Sequence, residues 1–510
     1  MHYVEAENSH FSKVVKIESG FLSGVTEPDS KATVFKGIPY AAPPVGYLRW
    51  RPPQAPAPWK GVRKADEFGP ICPQFPPPKG SFYQLEYYPE EEKQSEDCLY
   101  LNVWTPAETS DEKRPVMVWI HGGGFVQGQG SLPSFNGSEL AKKGIVVVTI
   151  NYRLGVFGYL AHSELSREAD SNTSGNYALL DQICALKWVQ NNIEAFGGDP
   201  DNVTLAGQSA GSFNIQYLML SDLAKGLFNK AILESGGMGA NYRFPKELSV
   251  SEQSGVQYAS MHGVKSIEEL RRMPAEDLLG NMADYLKMGF APIVDGKIIS
   301  NEMIQHFAEG NKDTIPLLIG FNANEATSLV PDHFSLNDFK KEGEYRYGNK
   351  ANRFFELYPC ETDEQSLQAK IDSTTDSYAA AAYYLARLNE KNYKKTYLYC
   401  FNRKLPGRNS AYYGAFHSSE IEYIFQTLKS TERPWENVDQ ELSDVMSSYW
   451  VNFVKTGNPN GKKLPFWGHY DKQQELFMAL GPHPEMQKMA EDDKLNYFID
   501  VIEEKLDEYK

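Results

Sequence analysis

The 510-residue chain contains no apolar run approaching the roughly 18 residues that a membrane-spanning helix requires. A helical transmembrane anchor is therefore not expected within it. Positive charge is also scarce, with 51 Lys and Arg against 67 Asp and Glu and a formal net charge of −16. Phosphate recognition needs concentrated positive charge, so this balance speaks against nucleic acid as a partner. Cysteines number only five, and neither Cys-x-x-Cys nor His-Glu-x-x-His spacing occurs. The expectation is that neither a metal nor any other cofactor is needed. Met1 to Glu7 lack a basic stretch and an apolar core, so the chain as it stands is expected to be cytoplasmic, or else the mature form of an exported protein. Internal repeats and domain linkers are missing as well. With 41% hydrophobic residues, residues 1–510 are expected to form one large domain.

What is present begins with short apolar runs separated by longer helical stretches. Runs at 116–120, 145–150, 203–206, 231–233, 316–319 and 397–401 read as strands. Residues 178–195, 441–453 and 494–509 read as helices, the last with a stripe of Leu495, Phe498, Ile499, Ile502 and Leu506. This alternation predicts an α/β fold with a mostly parallel sheet covered on both faces. The segments from about 238 to 310 and from about 327 to 395 read as helical insertions that cap the sheet.

The run at 203–206 leads into Gly207-Gln208-Ser209-Ala210-Gly211. A serine held at a sharp strand-to-helix turn points its hydroxyl out of the sheet, and only small neighbours let the backbone bend that far. Ser209 is the candidate nucleophile. Upstream, the run at 116–120 ends in His121-Gly122-Gly123-Gly124-Phe125. Glycines after a strand leave backbone N–H groups uncovered, as an oxyanion hole requires. These glycines do not fit G-x-G-x-x-G, and no Gly-Lys-Ser/Thr follows them, so a nucleotide-phosphate loop fails on its own terms. The pairing of this loop with the elbow points to acyl transfer.

Further motifs extend along the chain. They include Phe35 to Ala41 with Pro43 to Gly46 and Leu48-Arg49-Trp50, then Glu96 to Val103, Asn151 to Gly155, Phe196 to Pro200, and Thr456 to Asn460. In this set and order, the chain resembles the type-B carboxylesterases of the α/β-hydrolase superfamily, which include bacterial para-nitrobenzyl-esterase-like enzymes and the cholinesterases. The resemblance implies a serine carboxylesterase acting through an acyl-enzyme, with a central twisted sheet, a small N-terminal antiparallel sheet and helical caps. The superfamily's chain order is serine, acid, histidine. Glu325 follows an apolar run, and four histidines lie beyond it: His333, His417, His469 and His483. Spacing does not choose among them. The resemblance does, because Gly414 to Phe425 is similar to the family's histidine segment and Gly320 to Glu325 to its acid segment. Ala326 stands where a glycine is usual. Asp295 is the rival acid, in what resembles a structural turn. By the same resemblance Gly123, Gly124 and Ala210 would donate to the oxyanion.

The resemblance also implies a disulfide between Cys72 and Cys98, a buried ion pair of Arg49 with Glu96, and a serine near the triad at Ser235. The other cysteines read as inert thiols. Between Cys72 and Cys98 lie Phe75, Phe82, Tyr83, Tyr87 and Tyr88 but no tryptophan, which disfavours choline esters. An aromatic rim would suit hydroxycinnamoyl esters, and a dedicated hydroxycinnamoyl esterase is the alternative reading, with ordinary packing of a large loop as its rival. A lipase ranks behind it. A non-catalytic adhesion or binding member is disfavoured because all three triad residue types are present. The expected partner is a small-molecule ester.

Overall fold

The computed structural model describes residues 13–27, 30–88, 92–310, 315–391, 395–489 and 492–509. The expectation drawn from Met1 to Glu7 falls outside these residues. The first strands are β1 (Val14–Ile17), β2 (Gly20–Ser23), β3 (Val25–Thr26), β4 (Thr33–Pro39), β5 (Val62–Lys64) and β6 (Tyr100–Thr105). Next come β7 (Arg114–Ile120), β8 (Val146–Ile150), β9 (Gly198–Gln208), β10 (Lys230–Glu234) and the short β11 (Lys246–Glu247) and β12 (Ile293–Val294). The last are β13 (Leu317–Asn322), β14 (Thr396–Phe401), β15 (Leu476–Leu480) and β16 (Glu485–Lys488).

Eleven strands form one sheet in the order β16-β15-β14-β13-β10-β9-β7-β8-β6-β4-β3. Every neighbouring pair from β15 to β8 is parallel. The pairs at both flanks are antiparallel. β8, β10, β13 and β14 are buried at every residue, as expected where helices cover both faces. Alternation along β7 sends Val116, Val118 and Ile120 into one layer and Met117 and Trp119 into the other.

The first layer is closed by α1 (Tyr177–Asn192), α2 (Ala210–Leu220), α3 (Asp363–Glu390) and, beyond them in the chain, the C-terminal helix Asp493–Asp507. The second is closed by Asn437–Thr456, which buries Leu442, Met446, Tyr449, Trp450 and Phe453 on one face. A reciprocal cap between Glu436 and Asp439 starts that helix, and Gly457, at φ 71°, ends it. The 248–308 region holds short helices between β11 and β12 and just after them. In the later region α3 does more than cap the sheet, because it packs against β13 and β14.

One expectation is corrected. The small N-terminal sheet is mixed rather than antiparallel: β1 and β2 pair antiparallel through a tight reversal, but β5 joins β2 in parallel. A parallel partner needs a long return connection, and residues 24–61 supply it.

Three cross-links tie the motif segments together. Arg49 forms a bidentate pair with Glu96, Nε–Oε1 at 2.6 Å and Nη2–Oε2 at 2.5 Å. Its remaining nitrogen donates to the carbonyls of Arg271 (3.0 Å) and Met273 (2.7 Å) in the first insertion. A second fork, Arg153 on Asp181 at 2.7 and 2.8 Å, is more deeply buried. Cys72 and Cys98 are joined as a disulfide across 26 residues, while Cys184, Cys360 and Cys400 are free.

Removing one member of a buried pair strands the other charge and typically costs about 3–5 kcal/mol. Glu96→Gln is therefore expected to lower unfolding free energy by about that amount in urea titration. An unchanged midpoint would count against the pair as a structural tie.

Candidate active site

The parallel strands deliver the site at their C-terminal ends. β9 stops at Gln208 and α2 starts at Ala210, leaving Ser209 between them at φ 55°, ψ −124°. This backbone region is costly for a side-chain-bearing residue. It is held from both sides: Ser209 N–H donates to Glu234 O at the end of β10 (2.9 Å), and Ser209 O accepts from Phe213 N–H (3.0 Å). The flanking glycines are a packing necessity. A Cβ on Gly207 would lie 2.6 Å from Ile120 O, and one on Gly211 would collide with the same carbonyl.

β7 ends at Ile120 and opens into the glycine loop. A Cβ on Gly122 would lie 3.0 Å from Ser209 Cβ, so the loop runs directly against the elbow. Gly123 and Gly124 have φ of 115° and 64°. A Cβ on Gly123 would strike the carbonyl of Gln127. Among the described residues, the N–H groups of Gly123, Gly124 and Ala210 have no protein acceptor. His121 braces the loop from below. It stacks on Tyr152 at 4.3 Å, its carbonyl accepts from Tyr152 O–H (2.7 Å), and Nδ1 lies 2.8 Å from Gly122 O. Burial pushes the His121 imidazole down to about 4, so it supports the loop as a neutral ring.

His417, which lines the same cavity as Ser209, meets Glu325. His417 Nδ1 lies 2.5 Å from Glu325 Oε2, and both residues are buried. The other oxygen of Glu325 accepts Asn322 N–H at 2.7 Å, which fixes the carboxylate at the end of β13. Ala326 sits in a short 3₁₀ turn and takes no left-handed conformation, so this turn has no need of glycine. The far nitrogen, His417 Nε2, faces Gln208 Nε2 at 3.2 Å. With Nδ1–H directed to Glu325, Nε2 carries the lone pair and the Gln208 amide donates to it. Gln208 was not singled out from the sequence, although its place beside the nucleophile was the available signal. Tyr378 of α3, also missed, lays its ring 5.4 Å from that of His417.

The rival residues lie elsewhere. Asp295 Oδ1 caps the N–H groups of Lys297, Ile298 and Ile299, the arrangement of a structural turn. His333, His469 and His483 are exposed. Ser235 is buried and donates to Glu420 Oε1 (3.2 Å), whose other oxygen accepts from Asn322 Nδ2 (2.5 Å). Glu234 is buried nearby, with Oε1 bonded to Trp450 Nε1 at 2.8 Å. Burial raises both glutamates, Glu234 well above the usual carboxylate range and Glu420 to about 7, the charge of Glu325 adding to the latter.

Ser209, His417 and the glycine loop open into a cavity of about 1070 Å³. Of the five entrance-loop aromatics, Phe75, Tyr83, Tyr87 and Tyr88 line it. Phe82 packs instead on Tyr413 and Phe416, at 4.1 and 4.7 Å between ring centroids.

Comparison with known proteins fits this geometry. Residues 11–498 match the Carboxylesterase family. The chain belongs to that family. It is 38% identical to a para-nitrobenzyl esterase of Bacillus subtilis (strain 168), over 91% of this chain and 94% of that one. It is 35% identical to a fumonisin B1 esterase of Sphingopyxis macrogoltabida, over 94% and 88%. Among solved structures, a thermophilic PNB esterase superposes with a TM-score of 0.83 at 35% identity, covering 95% of this chain and 99% of that one. These likenesses place the fold as that of an α/β-hydrolase.

The Glu420 environment gives a pH prediction. Its pKa is raised on folding, so its contribution to stability is full below the unfolded value near 4.5 and is lost as pH rises through about 7. Chemical denaturation between pH 5 and 8 should show wild-type stability falling by up to about 1.4 kcal/mol per pH unit from this group. Glu420→Gln should flatten that slope. Parallel pH profiles for the two proteins would refute the assignment.

Proposed function

We propose that this carboxylesterase-family enzyme hydrolyses small carboxylic esters through an acyl-Ser209 intermediate, with His417 as base and Glu325 as its orienting acid. One observation carries the reading: Nδ1 of His417 is tied to Glu325 at 2.5 Å while Nε2 lies 3.2 Å from the side-chain nitrogen of Gln208, the residue before Ser209, on a cavity that Ser209 also lines. Ser209 Oγ attacks the ester carbonyl carbon as its proton passes to Nε2, with the Gln208 amide withdrawing from that lone pair. The carbonyl oxygen becomes an oxyanion in front of the unengaged N–H groups of Gly123, Gly124 and Ala210. Loss of a single such donor typically costs about 3–4 kcal/mol of transition-state stabilisation. Collapse expels the alcohol, which takes the proton from His417. Water then repeats the sequence on the acyl-enzyme and releases the acid. Glu325 holds the imidazole in the Nδ1–H tautomer and stabilises the imidazolium without taking its proton.

A hydroxycinnamoyl ester is the second reading, favoured by the four entrance-loop aromatics on the cavity wall. A preference for methyl ferulate over para-nitrophenyl butyrate would support it, and the reverse preference would dismiss it.

Ser209→Ala and His417→Ala are each expected to lower para-nitrophenyl butyrate turnover by at least about 10⁴-fold. An organophosphonate should add once to wild type and not at all to Ser209→Ala, as read by intact mass. Folded wild-type protein with neither turnover nor adduct would make this a binding member of the family.

A further inference from the structure

The cavity in front of Ser209 carries more positive charge than its own walls neutralise. Its charged lining residues are Arg243, Lys246, Arg346, Lys505 and Glu508. Arg346 is committed to Glu342 at 2.5 Å and to the carbonyl and side-chain oxygens of Asn241 at 3.1 and 2.9 Å. Lys505 is paired with Glu508 at 2.6 Å. Arg243 and Lys246 have no acidic partner among the described residues. In a chain of net charge −16 this is a local feature rather than part of a basic surface.

Arg243 is the one placed near the chemistry. Its guanidinium lies 5.8 Å from the ring of Phe125, the residue that follows Gly124 in the oxyanion loop. Its charge is also felt by Tyr378, whose ring lies against His417, and by Tyr217 of α2. The cation is thus one aromatic ring from the oxyanion loop and near the ring that packs on the base. The turn that presents it is held in unfavourable backbone. Asn241 and Tyr242 have φ of 49° and 56°, while Gly239 takes its φ of 93° without strain. Asn241 N–H donates to Ser377 Oγ on α3 (3.0 Å), Arg346 clamps the Asn241 oxygens, and Gly239 N–H donates to Arg243 O (3.0 Å). Strain of this kind persists only where the surroundings enforce it, and it clusters at ligand clamps.

We propose that Arg243 is a specificity residue that binds a carboxylate carried by the ester substrate in addition to its scissile ester. The preferred substrates are then half-esters of dicarboxylic acids, or esters whose alcohol part bears a free acid. A guanidinium offers two parallel N–H donors matched to a carboxylate, and Arg243 is exposed at the cavity, where an incoming acid can reach it. This inference rests on the ester-hydrolase reading above.

The test compares kcat/KM within two substrate pairs for the full-length wild type, Arg243→Gln and Arg243→Lys. One pair places the acid on the acyl side, mono-4-nitrophenyl adipate against 4-nitrophenyl hexanoate. The other places it on the alcohol side, 4-acetoxybenzoate against phenyl acetate. In at least one pair the charged-to-neutral ratio should fall ten-fold or more in Arg243→Gln and be partly retained in Arg243→Lys. The responding pair identifies the side of the scissile bond on which the acid binds. Ratios unchanged within two-fold in both pairs would overturn the assignment, as would an equal loss on charged and neutral esters. If neutral-ester turnover is present and Ser209-dependent in that case, only the role of Arg243 fails. If it is missing from wild type or survives Ser209→Ala, the ester-hydrolase reading fails instead.

Discussion

The site depends on the hydrogen bond from Ser209 N–H to Glu234 O, which pins a strained residue to the end of the neighbouring strand. A φ of 55° with ψ of −124° costs on the order of 1–3 kcal/mol and would relax in an isolated turn. Here the parallel register of β9 with β10 brings Gln208 opposite Glu234, so the next amide reaches the acceptor before the chain can unwind. Ile120 O blocks the alternative, because it fills the space where side chains at 207 and 211 would go. The same β7 carbonyl sits at the start of the oxyanion loop. One junction of three strand ends therefore fixes both the proposed nucleophile and the proposed oxyanion donors, a usual location for sites in open α/β sheets.

The proposed acid and base, Glu325 and His417, come from farther along the sheet and need separate anchoring. Glu325 follows β13 directly and is capped by Asn322 N–H of that strand. His417 lies well beyond β14, and its loop is tied back by a bridge between Asn324 and Phe416 and by Asn322 Nδ2 on Phe416 O at 2.8 Å. Asn322 therefore serves acid, base and Glu420 together, which makes the network cooperative. Glu234 and Glu420, pushed toward their neutral forms by burial, add little negative charge of their own on the acid side of neutrality. Glu325 then faces the imidazole with little competition from other carboxylates. Ionising them would set like charges side by side in a place water does not reach.

Much of this was legible in the chain because the parallel block needs continuous apolar runs and the elbow needs small residues. The six strands read from the sequence all form, and so do the three helices, with boundaries shifted by a few residues. β4 and β6 escaped because their motifs read first as family signatures. β15 is an apolar run, Leu476 to Leu480, that was passed over, whereas β16 escaped because an antiparallel edge tolerates polar side chains, and Glu485 and Gln487 show no apolar period. Ser209 and the glycine loop follow from local chemistry, whereas His417 was separated from three other histidines by resemblance alone. Burial distinguishes it physically, and burial is a property of the fold. Gln208 and Tyr378 were invisible as site residues for the same reason. Their importance lies in contacts to His417 across more than 35 residues of chain, and no local pattern encodes these.

The entrance loop adds a coupling between selectivity and catalysis. Tyr83 and Tyr87 line the cavity, yet their hydroxyls donate to the carbonyls of His417 (3.3 Å) and Ser418 (3.2 Å). Tyr83 also pairs at 3.0 Å with Oγ of Ser328, the last residue of the turn that carries Glu325. The Cys72–Cys98 disulfide closes this loop, and cross-linking 26 residues removes chain entropy worth about 3–4 kcal/mol in the loop-closure model. The tether therefore restrains the tyrosines that seat the base. A substitution that reshapes the aromatic wall for a different acyl group releases a hydrogen bond on the histidine segment, so it alters turnover as well as binding. On another wall, α3 also touches the triad segments, through Thr375 Oγ1, which accepts Ala326 N–H at 3.2 Å, and through Tyr378 beside His417, whereas among the described residues the side chain of Arg243 makes no hydrogen bond to them. Substrate preference can change there through side-chain charge while the geometry of Ser209, His417 and Glu325 is kept.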